Sequence, residues 1–330
     1  MKVLVTGGAG YIGSTICSSL IDNGHIPIIL DSLVTGKKKF VENRIFYNGD
    51  ISDRVILKTI KKDHPEIDYV IHCAALIVVP DSVKDPNLYY RENVSKSLEL
   101  FYNLKLLGIK NIIFSSSASV YDDTNDFIVK EDSLLNPRSP YARTKFMMEM
   151  ILEDFCNSYK MRGIALRYFN PIGADMKMRT GPHIKNPSHV LGKMLSTAKN
   201  KDEVFKITGV NWPTRDGSGI RDYIHVWDLA RAHTIAVEKF DEIFSNDLYY
   251  QIINLGTSNG VTVKELVSAF ENVIGKNIDK VETEKRLGDV AGAYANNELA
   301  YKKLNWFPEK TIEEGIKDSL LWEEIKNDII

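Results

Sequence analysis

The stretch LVTGGAGYIGS, residues 4–14, fits two glycine fingerprints at once: Gly8, Gly10 and Gly13 spell G-x-G-x-x-G, while Gly7, Gly10 and Gly13 spell G-x-x-G-x-x-G. Either describes a turn tight enough to bring backbone against a pyrophosphate, whose charge the following helix N-terminus meets. A glycine turn can also bind nothing, so the context decides. The apolar run KVLVT, residues 2–6, precedes the loop, and helical spacing from Tyr11 to Asn23 follows it. A second apolar run, HIPIILD at 25–31, ends in Asp31, 18 residues after Gly13. A carboxylate there accepts hydrogen bonds from adenosine ribose hydroxyls and repels a 2′-phosphate, which favours NAD over NADP. The lysines at 37–39 carry charge for such a phosphate, but they stand several residues beyond Asp31 and read more simply as a solvated loop.

Working outward, strand and helix patterns keep alternating. NRIFYNGD (43–50) is followed by a helix pattern near 52–63, then DYVIHCAA (68–75) and a long helix pattern over 86–107. KNIIFSSSASVY (110–121), SPYARTKFMMEMILEDFCNSY (139–159) and GIALRYFN (163–170) repeat the alternation. This predicts an α/β fold, a Rossmann-type doubly wound parallel sheet with helices on both faces. The second half has irregular stretches at 171–187 and 209–221, helix patterns at 188–199, 226–239, 262–274 and 311–328, and one further sheet strand, QIINLGT (251–257). It reads as a smaller mixed α/β lobe whose chain crosses back. The expected division is a dinucleotide-binding unit at 1–175, with returning segments near 222–257, and a substrate lobe at 176–330.

The composition narrows the partners. A net charge of -2 with scattered Lys and Arg gives no electrostatic footprint for nucleic acid or a membrane surface. Cys17, Cys73 and Cys156 are isolated and set among apolar neighbours, so they read as small core residues in a reducing compartment and not as a disulfide frame or metal site. No apolar run approaches the ~20 residues of a membrane span, and a strand begins directly after Met1. A cytoplasmic location is expected.

Tyr141 and Lys145 are four apart in a helical segment and share one face. An ammonium beside a phenol favours the phenolate and is expected to lower the tyrosine pKa from its usual ~10, and an oxidised nicotinamide pushes the same way. Such a base takes a proton from a sugar hydroxyl while its carbon gives hydride to the cofactor. Alone, Y-x-x-x-K is usually a solvated helix face. Here it follows a strand ending in SSSAS (115–119), which leaves hydroxyls at the carboxyl edge of the sheet. Ser117 is placed to bond the same substrate hydroxyl, whereas Ser115 and Ser116 are expected to serve turn and capping chemistry.

These segments carry a family resemblance. TGGAGYIGS, SSSASVY, SPYARTK, RYFNPIGA (167–174), GSGIRDYIHVWDLARAH (217–233), NLGT and the GD pair at 288–289 resemble the extended short-chain dehydrogenase/reductases, and among them the UDP-glucose (UDP-galactose) 4-epimerase family. The similarity runs through nearly the whole chain in order and favours the G-x-x-G-x-x-G reading. It implies a tightly held NAD, a uridine diphosphate sugar, and a reversible oxidation at sugar C4 with the hydride returned on the opposite face. Tyr141 becomes the base at the 4-hydroxyl, Lys145 its tuner and a ligand of the nicotinamide ribose, and Ser117 a partner of the reacting oxygen. Backbone amides of Tyr11 and Ile12 would meet the pyrophosphate, and Asp50 and Ile51 would flank adenine, with a helix cap as the competing reading of Asp50. Ala74, Ala75, Leu76, Asn93 and Phe169 would line the cofactor.

On the substrate side, Asn170 would meet sugar or diphosphate, Arg221 and Arg286 would clamp the diphosphate, and Asp289 would bind the uridine ribose. A surface ion pair is the alternative for each arginine. His189 would touch the diphosphate or be structural. In the family, helices such as those at 86–107 and 139–159 build a homodimer. Departures are Ile77 in place of a frequent Lys, Asp122 in VYD for VYG, the mild changes Ala142 and Thr144, Gly192 for a more usual Pro, and above all Ala293. A small residue at 293 predicts room for 2-acetamido sugars besides plain hexoses. Other readings are a dehydratase, a decarboxylase, a uronate or pentose 4-epimerase, or a non-catalytic NAD-binding regulator. Ala118 and Ser119 follow Ser117, so no carboxylate stands where water elimination needs one.

Overall fold

The computed structural model describes residues 1–184, 187, 189–200, 202–244, 248–285 and 290–329. Its seven-stranded sheet consists of β1 (Lys2–Thr6), β2 (Ile26–Asp31), β3 (Ile45–Asn48), β4 (Tyr69–His72), β5 (Asn111–Ser117), β6 (Arg162–Tyr168) and β7 (Tyr250–Leu255), in the order β3-β2-β1-β4-β5-β6-β7. Every pairing is parallel. Strands covered on both faces read as unbroken apolar runs, as KVLVT does. The period of two still sorts them: Val3 and Val5 join the core on one face, and Leu4 joins the core on the other.

On the first face lie α1 (Tyr11–Asp22) and, returning from the second half, Val226–Glu238, joined by Ser19 Oγ to Thr234 Oγ1 at 2.8 Å. The other face carries α2 (Arg54–Asp63), α3 (Lys96–Leu106) and α4 (Pro140–Tyr159). Ala300, Leu304 and Trp306 also pack into the first core, so the chain comes back once more beyond β7. The helix expected over 86–107 is divided. A π-helical turn at Tyr90–Ser95 separates Pro86–Tyr89 from α3 and carries Asn93 into the interior.

The lobe holds a small sheet in the order Gly260–Thr262, Ile220–His225, Gly292–Ala295, Ile128–Val129, with Asn170–Ile172 also paired to Ile220–His225. Phe205–Thr208 and Lys280–Thr283 form a separate parallel pair, and the helices Val190–Lys199, Val263–Ile274 and Ile312–Ile329 complete the layer. Among the described residues no helix is long and apolar enough to cross a membrane, and no group of three or more metal-ligating side chains occurs.

Two buried histidines fix a pH dependence. His72 sits between Thr6 Oγ1 (2.7 Å) and Ser97 Oγ (2.9 Å), and His233 between Ser115 Oγ (3.2 Å) and the Leu229 carbonyl (2.9 Å). Burial pushes them down to about 3 and about 4. Both are therefore neutral in the fold and must gain protons on unfolding. The stability they supply is complete above the ordinary histidine pKa of ~6.5 and is lost as pH falls toward those depressed values. Urea midpoints should fall from pH 6.5 to pH 5, with a slope from these two groups approaching about 1.4 kcal/mol per pH unit each. A flat midpoint over that window would show them already charged in the fold.

Candidate active site

The strand order turns back between β1 and β4, and ligands of such sheets bind outside the carboxyl ends at that point. The glycine loop lies there. Gly7 has φ +70°, and a Cβ on it would stand 2.6 Å from Ala74 N; a Cβ on Gly13 would stand 2.2 Å from the Gly7 carbonyl. These two glycines are demanded by close approach of backbone. A Cβ on Gly10 would meet only the Gly7 carbonyl oxygen, at 3.4 Å, so the space above it is open. Gly10 is the N-cap of α1 and no side chain caps the first turn, which leaves the amides of Tyr11 and Ile12 aimed at an anion. Gly8 instead packs on Ile29. The residues present fit a dinucleotide pyrophosphate.

Asp31 ends β2 with Oδ2 accepting from Ala9 N (3.0 Å) and Oδ1 from Leu33 N (2.8 Å), and each oxygen keeps a lone pair for a ribose hydroxyl. Asp50 does not cap a helix. Asp53 caps α2, accepting from Val55 N and Ile56 N, while Asp50 accepts from Ser52 and from Lys96 Nζ at 2.6 Å beside Ile51. Asn93 is a clamp: its Oδ1 accepts from Leu76 N (2.8 Å), and its Nδ2 donates to the Leu76 carbonyl (2.9 Å) and Thr144 Oγ1 (3.1 Å). It thereby fixes the Ala74–Ala75–Leu76 turn against the start of α4.

Ser139 starts α4 by accepting from Ala142 N at 3.1 Å, with Pro140 in the first turn, which sets Tyr141 and Lys145 on the sheet side. Tyr141 is 8% exposed and Lys145 3%. The expected electrostatics differ in this arrangement. Burial raises Tyr141 to about 12, against the Ser117 hydroxyl, which pulls it down. Burial likewise lowers Lys145 to about 8, and its Nζ donates to the Ser115 carbonyl at 2.7 Å while standing 5.0 Å from the Phe114 ring. The ammonium is held by main chain and half-discharged near pH 8, so in the protein alone desolvation governs the phenol.

Ser117 accepts from Ser119 N (3.2 Å) and Ser119 Oγ (2.9 Å). Turn and capping chemistry, expected of Ser115 and Ser116, therefore falls to Ser117. Ser115 bonds Cys73 Sγ and His233, and Ser116 donates to Glu149, because strand alternation turns them to opposite faces of β5.

On the lobe side, Arg221 donates to the carbonyls of Ile220 (2.6 Å), Ala291 (2.8 Å) and Val290 (3.3 Å); among the described residues none of its partners is a carboxylate. The ion-pair alternative is thus not what holds it. His189 caps Val190–Lys199, its Nδ1 accepting from Gly192 N at 3.1 Å, which is the structural role. Phe169 and Ala293 share one apolar cluster with Val120 and Tyr121, and Asn170 begins an exposed strand end beside it. Arg286 and Asp289 lie outside the described residues. Ile77 is exposed, and Asp122 gathers the 122–138 loop by accepting from Asn136 (3.1 Å) and Arg138 (2.7 Å).

Two groups escaped the sequence reading. Glu149 and Arg167 form a buried bidentate pair (Nε 2.9 Å, Nη2 2.6 Å) under Ser116. Asp222 accepts from Thr257 N, Thr257 Oγ1 and Ala295 N and knits the lobe strands, with burial raising it to about 6. The available signal was a single charge, Arg167, in the otherwise apolar run GIALRYF.

A buried phenol beside a lysine ammonium at the carboxyl edge, next to a pyrophosphate cradle, is machinery for moving a hydride and a proton together; the class is that of nicotinamide-dependent short-chain dehydrogenase/reductases. The chain belongs to the NAD dependent epimerase/dehydratase family, which it matches over residues 3–256. It is similar to the UDP-glucose 4-epimerase of Bacillus subtilis (strain 168), 37% identical over 334 residues covering 98% of this chain and 97% of the relative. Among solved structures it is similar to the UDP-glucose-4-epimerase of Stenotrophomonas maltophila with bound NAD and formylated UDP-arabinopyranose, at TM-score 0.92 and 34% identity over 100% of both chains. The Bifidobacterium longum UDP-glucose 4-epimerase with NAD+ and UDP gives TM-score 0.91 and 31% identity, again over 100% of both.

Proposed function

We propose that this chain interconverts UDP-glucose and UDP-galactose by NAD-dependent epimerisation at sugar C4. The observation that carries this is the Ser117–Tyr141–Lys145 set buried at the switch point of a chain resembling UDP-glucose 4-epimerases end to end. NAD supplies a reversible hydride acceptor for C4. Tyr141 takes the proton of the 4-hydroxyl and later returns it, Ser117 bonds the reacting oxygen, and Lys145 provides the nearby positive charge. The Asp31 carboxylate, held by two backbone amides with lone pairs left for a ribose hydroxyl, repels a 2′-phosphate. Residues 1–175, with the returning segments near 222–257, form the NAD unit in this reading, and 176–330 the substrate lobe. The protein incubated with UDP-galactose should yield UDP-glucose of unchanged mass; loss of water or carbon dioxide from the product would reject the reading in favour of a dehydratase or decarboxylase.

Ala293 extends the substrate range. It lies in register with Arg221 and packs with Phe169, so a methyl group stands where a larger side chain would narrow the sugar pocket. UDP-GlcNAc and UDP-GalNAc are accepted as well. Ala293→Tyr should lose turnover of the acetylated pair by about 100-fold or more while keeping most activity on plain hexoses, since a ring clash is worth a few kcal/mol. Equal loss on both pairs, in side-by-side kcat/KM measurements, would sink the assignment.

The working form is a homodimer. α3 exposes Leu98, Tyr102 and Leu106 at helical spacing, α4 exposes Met150 and Tyr159, and Phe101–Phe155–Tyr159 ring contacts join the two helices into one apolar face. Sedimentation at micromolar concentration should give a dimer, and Tyr102→Glu a monomer. The free cysteines are consistent with a cytoplasmic setting.

A further inference from the structure

Glu92, in the π-helical turn Tyr90–Ser95, and Lys96, the first residue of α3, are four apart and meet: Lys96 Nζ donates to Glu92 Oε2 at 2.6 Å. The same ammonium crosses to the loop after β3 and donates to Asp50 Oδ2, also at 2.6 Å. Glu92 is braced in turn by Arg91, whose Nε donates to its Oε1 at 3.1 Å. Between Glu92 and Lys96 stands Asn93, the clamp on the Ala74–Ala75–Leu76 turn. The short stretch 92–96 thus holds the cofactor edge of the sheet at two separate places.

These bonds aim Asp50. Its Oδ1 accepts from Ser52 N (2.9 Å) and Ser52 Oγ (2.6 Å), while Oδ2 accepts from Lys96. Oδ1 carries two donors and Oδ2 one, so Oδ2 is the oxygen with room for a further N–H. Burial opposes charge on both partners, yet their bonds to each other, to Glu92 and to Ser52 outweigh it, holding Asp50 below and Lys96 above its ordinary value. An ion pair with 26% of the lysine side chain and 36% of the aspartate side chain exposed adds little to stability. What Lys96 adds is direction. The Ser52 bonds fix one oxygen and the ammonium fixes the other, so the plane of the carboxylate is set.

We infer that Lys96 is a positioning residue for the cofactor: it turns Asp50 Oδ2 to accept from the exocyclic amino group of adenine, and so makes the site selective for that group. This rests on the reading of Asp50 and Ile51 as the residues flanking adenine, and it names what sets their selectivity. Hydrogen bonds to charged acceptors are the strong ones, and a ring without the amino group leaves the aimed carboxylate facing a C–H, so the discrimination is worth about tenfold in affinity.

The test is competition between NAD and its analogue carrying hydrogen in place of the adenine amino group. Unmodified protein, Lys96→Met and Asp50→Ala are equilibrated with both dinucleotides, and the bound ones are counted by mass spectrometry. The unmodified protein should prefer NAD by about tenfold, Lys96→Met by about twofold or less, and Asp50→Ala not at all. A merely structural lysine would weaken both dinucleotides alike and leave the preference intact, so an undiminished preference in Lys96→Met would overturn the proposal. A preference missing already in the unmodified protein, or kept in Asp50→Ala, would instead remove Asp50 from adenine and take the lysine's role with it. That failure is told apart from the first by the Asp50→Ala arm.

Discussion

Tyr141→Phe should abolish interconversion, lowering kcat by about three orders of magnitude or more, while fold and NAD content remain those of the unmodified protein. The substitution removes one oxygen from a ring that is 8% exposed and packed at the start of α4, so the shape of the site is kept. What is lost is, among the described residues, the group on the sheet edge able to hold a proton at the reacting oxygen besides Ser117, an alcohol far too weak a base. The phenol also needs help. Burial alone raises it to about 12, and the Lys145 ammonium is engaged by the Ser115 carbonyl. Its acidity in the working enzyme must then come from the charge of oxidised NAD and from Lys145 turning toward it, so the activity of the unmodified enzyme should rise with pH through the alkaline range as the phenolate fraction grows. A variant retaining a tenth of the activity, measured by conversion of UDP-galactose at saturating concentration, would remove Tyr141 from the mechanism.

How much of this was legible in the chain depends on the range over which each signal acts. Unbroken apolar runs, the glycine loop and Asp31 are local patterns, and the sheet order follows from them by the rule that parallel strands need crossover helices. Ser117, Tyr141 and Lys145 were legible for the same reason, since a helical spacing of four and a strand end are read in one window. The strand Ile220–His225 was not. Arg221, Asp222 and His225 make it look polar, and partners 35 to 93 residues away, Thr257 and Asp318 among them, are needed to satisfy those groups inside the lobe. The electrostatic sign at Tyr141 was also out of reach: spacing puts a lysine near the phenol, but burial and the direction in which the ammonium points are tertiary facts. Asn93 was found as a cofactor-lining residue, while its work as a clamp depends on a π-helical turn that no periodicity announces.

Glu149→Ala should be the most damaging substitution that touches no ligand, destabilising the protein by about 3–5 kcal/mol. Glu149 and Arg167 are 2% and 1% exposed. Removing the carboxylate strips the guanidinium of its bidentate counter-charge and leaves it the Glu131 carbonyl at 3.2 Å, the partly buried Glu131 carboxylate farther off and the Tyr121 ring 4.8 Å away. The damage should spread along the bonded chain, because Tyr121 donates to Asn254 Oδ1 at 2.6 Å and Glu131 accepts from Asn254 N at 2.8 Å, tying α4, β5, β6 and β7 together behind the catalytic edge. The paired change Glu149→Leu with Arg167→Met separates two explanations. A buried ion pair is a poor source of stability, because desolvating both ions offsets their attraction, so an apolar pair of similar volume should restore most of what the single change loses. Urea denaturation of the three proteins decides: if the paired change is as unstable as the single one, the network matters for its hydrogen bonds to Ser116, Glu131 and Asn254 and not for cancelling a charge. In either case Lys145, one turn before Glu149 and held charged in part by it, should lose protons more readily in the paired variant, which withdraws positive charge from the phenol and moves the rising limb of the pH–rate profile to higher pH.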